Sequence, residues 1–124
     1  MSALNKLSNI IVDFAIEVHT QLGQGMAKSA YLACLAYELE KAGFTVEKEV
    51  KMPINYKGVT IENGYQVDIL VNHEIILEIK TLKAITDLHV EQVQSFLTLG
   101  NCSLGLIFNF NVPSLRKGIR RVVK

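Results

Sequence analysis

The sequence predicts an α/β domain in which a mixed β-sheet is flanked by helices, with elements in the order α, α, β-meander, α, β. Three observations carry that expectation. Apolar residues recur at helical spacing through the first third of the chain. Val, Ile and Leu dominate two short runs, 65–71 and 75–80, bounded by Gly or Asn, the composition of strands buried on both faces. A further amphipathic segment at 86–99 precedes another apolar run at 104–108, and a helix between two strands implies a crossover that lays the last strand parallel to an earlier one.

Taken in order, Leu7, Ile11, Phe14, Val18 and Leu22 predict an amphipathic helix over 7–21, stopped by Gly23 and Gly25. Glu17 and His19 fall near the two edges of that stripe and so border the core; for residues so placed a structural role is the commoner one. A second helix is expected over 27–42, with Leu32, Leu35 and Leu39 on one face and Gly43 at its end. Lys28 and Tyr31 lie one turn apart at its start. The N-terminal end of a helix favours carboxylates, so a lysine there needs another group to hold it.

Residues 44–50 alternate as a strand, Pro53 marks an edge or a break, and residues 54–56 pair with 59–61 around Lys57-Gly58. Asn63-Gly64 is expected to turn the chain into the hairpin that follows. Thr86 or Asp87 caps a third helix ended by Gly100. On it Leu88, Gln92, Phe96 and Leu99 share a stripe, which makes Gln92 a polar residue on an apolar face. A buried amide must find hydrogen-bond partners, and a hairpin carboxylate or a phosphate would serve. Gly105 allows a close approach to the last strand, 104–108.

The hairpin register follows from its loop. A two-residue turn at Asn72-His73 would put Asp68 and Glu78 on opposite faces, because side chains alternate along a strand. A three-residue loop, Asn72-His73-Glu74, pairs Val71 with Ile75, Ile69 with Leu77 and Asp68 with Glu78. One face then carries Val67, Ile69, Val71, Ile75, Leu77 and Ile79, and the other Asp68, Leu70, Ile76, Glu78 and Lys80. Only the second register explains the pattern. Opposed β residues have Cβ atoms about 4.5–5.5 Å apart, so two like charges would meet inside an apolar sheet. Desolvating each ion costs several kcal/mol, and a hard cation with oxygen ligands, such as Mg²⁺, would neutralise the pair.

Composition excludes several classes. The chain is 49% hydrophobic and 20% charged with net charge +1, a globular balance with no low-complexity stretch, and its 124 residues make one domain. No apolar run approaches the roughly 18 residues of a membrane span, and Asn5, Lys6 and Asp13 interrupt the N-terminus, so a soluble, cytoplasmic protein is expected. Cys34 and Cys102 lack zinc-site spacing and companion histidines, which makes them buried free thiols. Charge is uneven: Arg116, Lys117, Arg120, Arg121 and Lys124 form a cationic tail that could contact phosphates, or simply solvate the terminus.

An acidic residue on one strand followed by Glu-x-Lys on the next, Asp68 and Glu78-Ile79-Lys80, resembles the PD-(D/E)xK nuclease superfamily. Its restriction-endonuclease-like core has the order α-β-β-β-α-β, with the metal site on the second and third strands of the meander. Almost the whole chain is similar, more narrowly, to the small GxxExxY proteins of that superfamily. The matching stretches are 16–19, 22–25, 35–40, 56–59, Gly64-Tyr65, Asp68, 78–80, Gln92 and Asn109-Phe110. The resemblance implies that Asp68, Glu78 and the Ile79 carbonyl hold Mg²⁺ or Mn²⁺, that Lys80 orients or deprotonates a water, and that Gln92 and Tyr31 reach the same pocket. Glu17, His19 and Lys28 would surround it. Two positions depart from the pattern: Lys28 replaces the naming glutamate, and Phe96 the usual tyrosine after the glutamine.

The expected function is metal-dependent hydrolysis of nucleic acid, with metal binding weakened by Lys28 and with Asp68→Ala abolishing cleavage while leaving the fold intact. The alternative is a non-catalytic nuclease-fold module, binding nucleic acid or a protein partner, in which the Lys28 ammonium sits where the metal would and pairs with Asp68 or Glu78. A homodimer through the edge near 53–61 is a further option.

Overall fold

The computed structural model describes residues 2–124. Among them are three α-helices, α1 (Ala3–Leu22), α2 (Lys28–Lys41) and α3 (Asp87–Gly100), and five strands, β1 (Val46–Tyr56), β2 (Val59–Val71), β3 (Ile75–Lys80), β4 (Leu104–Asn109) and β5 (Ile119–Val123). The strands form one sheet in the order β1-β2-β3-β4-β5. β3 and β4 are parallel and the other neighbours antiparallel, so α3 is the crossover that the sequence requires. No helix among the described residues is long and apolar enough to cross a membrane.

Each face of the sheet buries its own core. α1 and α2 cover one face with Ile11, Val18, Leu35 and Leu39 against Ile69, Ile75, Leu77 and Phe108. α3 covers the other with Val93 and Leu97 against Val67, Leu70, Ile76 and Ile107. The helix lies close to β4 because Gly105 has no side chain: a Cβ there would collide with Val93. The N-terminus of α1 lies four residues before the predicted Leu7, because the Ser2 hydroxyl accepts from the Asn5 amide and caps the helix.

The three-residue loop has the predicted register, with Ile69 opposite Leu77 and Val71 opposite Ile75. Elsewhere the structure corrects the sequence reading. Asn63-Gly64 is no turn: β2 runs through it, with Asn63 at φ 56° and a register shift opposite Pro53 between Met52 and Ile54, a bulge that bends the strand without ending it. Val67 packs under α3 and does not join Ile69 and Val71, because side-chain alternation is interrupted between them, at Asp68. The α3 stripe is rotated. Val93 and Leu97 face the sheet, whereas Leu88 is 71% exposed, Leu99 is 47% exposed, and Gln92 is exposed as well, so Gln92 has no buried amide to satisfy. Glu17 also points outward, hydrogen-bonded to Gln21. Cys34 is half-buried, and both cysteines are free thiols.

The basic C-terminal segment is not a solvated tail. It forms a short 3-10 turn, Leu115–Gly118, and then the edge strand β5, anchored by Leu115 and Val122. Charged residues hid that strand, because Arg120 and Arg121 are adjacent and exposed and Val122 alone in it is buried.

Candidate active site

The candidate site lies where β2 and β3 part. Their ladder ends at Ile69 and Leu77, and beyond it β2 continues only with β1 while β3 continues with β4. At that split the next two opposed residues, Asp68 and Glu78, exchange side-chain hydrogen bonds for the missing ladder. The Asp68 amide donates to Glu78 Oε2 at 2.9 Å, and the Ile79 amide donates to Asp68 Oδ2 at 2.8 Å. Both residues are buried, at 7% and 5% exposure. Buried amides need acceptors, so the carboxylates are structural parts of the sheet as well as candidate ligands.

The other oxygen of each carboxylate faces a lysine. Lys28 Nζ, from the first turn of α2, lies 3.0 Å from Asp68 Oδ1, and Lys80 Nζ lies 3.8 Å from Glu78 Oε1. Each of the two carboxyl groups therefore has one lysine ammonium beside it. The lysine that ran against its helix dipole is held by this pair. A groove of about 450 Å³ opens beside it, lined by Lys28, Ser29, Lys48, Glu49, Gln66 and Asp68 among others. Gln66 shares the Asp68 side of β2 and was legible two residues upstream in the sequence. Glu49 was not: it comes opposite Asp68 only through the β1–β2 register, where it interrupts the ladder at φ 51°.

Burial, reinforced by the neighbouring Asp68 charge, pushes Glu78 up to about 7, against smaller opposing effects of the Asp68 amide, Lys80 and Lys28. A carboxyl with a raised folded-state pKa keeps its proton in the folded protein when the unfolded chain has lost it. Its stabilising contribution is thus full below the unfolded value of about 4.5 and is lost as pH rises through about 7. The loss amounts to roughly 3 kcal/mol at 1.36 kcal/mol per pKa unit. We expect the melting temperature in EDTA to fall between about pH 5 and pH 8, and Glu78→Gln to flatten that fall. Parallel profiles for the two proteins would refute this account.

A family model for the PD-(D/E)XK nuclease superfamily matches residues 5–122. The chain belongs to the PD-(D/E)XK nuclease superfamily. No curated protein and no solved structure matches it. The membership agrees with the mixed sheet and with the placement of the acidic residue and the Glu-x-Lys run on adjacent strands at their split.

Nucleases of this superfamily use divalent metals, and the donors at the split match a hard cation in kind, being carboxylate and carbonyl oxygens. Among the described residues no three His, Cys, Asp or Glu side chains converge as a metal cluster. Lys28 also holds the Asp68 oxygen that an ion would need, although its side chain is 45% exposed and can withdraw into solvent.

The remaining residues singled out by sequence lie elsewhere. Tyr31 is fully buried, stacked on Phe110 at 4.3 Å; its hydroxyl donates to the Gly23 carbonyl at 2.6 Å and accepts from the Met26 amide at 3.1 Å. It thus shapes the loop that delivers Lys28. His19 Nε2 donates to the Val112 carbonyl at 2.9 Å and borders another cavity with Arg116. Arg121 donates to Ser8 Oγ at 2.7 Å and to Asn5, tying β5 to α1.

Proposed function

We propose that this protein is a divalent-metal-dependent phosphodiester hydrolase acting on nucleic acid, with its site at the β2–β3 split. The observation that carries the reading is the interlocked pair of Asp68 and Glu78. Two buried carboxylates side by side cost several kcal/mol of desolvation each, and a sheet built only for stability would place apolar residues there. Asp68, Glu78 and the Ile79 carbonyl would hold Mg²⁺ or Mn²⁺, which when bound would neutralise charge at the scissile phosphate and acidify a water.

The chain's own groups then act around that centre. Lys80 Nζ, beside Glu78 Oε1, orients or deprotonates the attacking water. Tyr31 supports the site from below by holding residues 23–26. Gln92, exposed on α3, is available to substrate and not to the carboxylates. Lys28 competes with the cation for Asp68, and this lowers metal affinity.

The Lys28–Asp68 pair also favours a second reading, in which the ammonium replaces the ion permanently and the fold binds nucleic acid or a protein without cleaving. Calorimetric titration of Mn²⁺ into the wild type and Asp68→Asn separates them. Binding by the wild type alone supports the hydrolase. Absence of heat in both, with and without added DNA, supports the lysine-filled module.

A further inference from the structure

The loop after β3, the turn Leu115–Gly118 and β5 enclose a cleft of about 230 Å³ lined by Lys83, Asn109, Lys117 and Arg120 together with Ala84, Ile85, Val112 and Gly118. Three cationic side chains converge there, all on exposed residues, in a protein whose net charge is only +1. No carboxylate balances them. Among the described residues the ion pairs join Asp68, Glu40, Glu47 and Glu78 to Lys28, Lys48, His73 and Lys80, and none involves Lys83, Lys117 or Arg120.

The cleft is also held in shape. Asn109 Oδ1 accepts from the Leu82 amide at 2.9 Å and from the Asn111 amide at 3.2 Å, while its Nδ2 donates to the Leu82 carbonyl at 2.9 Å. That clamp fixes the loop carrying Lys83. On the other side the turn carrying Lys117 passes so close to β4 that a Cβ on Gly118 would collide with the Asn109 carbonyl. Like charges held together by a rigid frame repel one another, and a bound anion relieves that repulsion.

The position of the cleft identifies the anion. Glu78, Ile107 and Arg120 are successive register partners across β3, β4 and β5, and in-register side chains share a face. At about 4.8 Å per strand, Arg120 stands about 10 Å from Glu78. A gap of that size is covered by a few nucleotides of one strand. We infer that Lys83, Lys117 and Arg120 form a phosphate-binding cleft for the polynucleotide backbone, a few nucleotides from the Asp68–Glu78 pair. The inference rests on the nucleic-acid reading proposed above but not on cleavage.

The test is therefore made without metal. Fluorescence anisotropy in EDTA would measure binding of a short single-stranded DNA, and of the RNA of the same sequence, between about 50 and 200 mM salt. The proteins are the wild type, the Lys83→Gln/Lys117→Gln/Arg120→Gln variant, and a charge-matched control, Lys6→Gln/Lys41→Gln/Lys51→Gln; melting curves verify that each is folded. The cleft variant should bind at least tenfold more weakly. Its log–log salt slope should be shallower by about 2, at about 0.7 per lost phosphate contact, with the control close to the wild type. DNA and RNA arms that differ would identify the preferred backbone.

Equal weakening in both variants, or none in either, overturns the cleft. If the wild type still cleaves with Mn²⁺ in that case, only the cleft assignment falls. A wild type that neither binds nor cleaves overturns both readings.

Discussion

Lys28→Glu is expected to make the stability of this protein depend on divalent cations. The substitution replaces an ammonium 3.0 Å from Asp68 Oδ1 by a carboxylate, changing the local charge by two units beside a second buried carboxylate at Glu78. Removing one member of a buried pair costs about 3–5 kcal/mol. The Lys28 side chain is 45% exposed, so water screens part of that, and a glutamate in the first helical turn gains a few tenths of a kcal/mol from the dipole. About 1–3 kcal/mol remains, several degrees in the melting temperature of a domain this size.

Mn²⁺ at about 100 times its Kd should return about 2.7 kcal/mol, because the variant presents three carboxylates with no ammonium on Asp68. Thermal melts in EDTA and in Mn²⁺ read both effects. Lys28→Met, which removes the charge without adding an acid, should lose stability in EDTA and recover less with the ion. A Lys28→Glu variant that melts at the wild-type temperature in EDTA and ignores Mn²⁺ would remove Lys28 from the site.

The second large effect is on cleavage. Asp68→Asn should reduce Mn²⁺-dependent hydrolysis of single-stranded or duplex substrates to background, while Lys80→Met should retain metal binding and lose about 10²–10⁴-fold in rate, the span of a general acid–base group. Asparagine is the informative replacement. Its side-chain oxygen can still accept from the Ile79 amide, which Asp68 Oδ2 holds at 2.8 Å. Alanine was expected from sequence to leave the fold intact, but it would orphan that buried amide at about 1–3 kcal/mol, so lost activity in Asp68→Ala would mix chemistry with unfolding. Undiminished cleavage by a folded Asp68→Asn would place the active site elsewhere.

These outcomes bear on what Lys28 does in a PD-(D/E)XK domain. With Lys28 over Asp68 and Lys80 near Glu78, each carboxylate carries one backbone amide and one ammonium, so the fold is complete without an ion. A cation must displace an existing partner, and the cost of that displacement separates a slow nuclease from a binding module.

Much of this was legible in sequence because it is local. The periodicity of Leu7, Ile11 and Val18 and of Leu32, Leu35 and Leu39 sets which helix faces are apolar. The three residues between Val71 and Ile75 bring Asp68 opposite Glu78 by counting alone. The tertiary structure decided whatever depends on how separate elements meet. The rotation of α3 on Gly105 carries Gln92 outward; the arrival of α2 over the sheet puts Lys28 on Asp68; and the folding of the basic C-terminus into β5 places Arg120 in line with Glu78. Periodicity reports which residues share a face of one element. It carries no information about which charge on a neighbouring element comes within bonding distance, because that is set by packing.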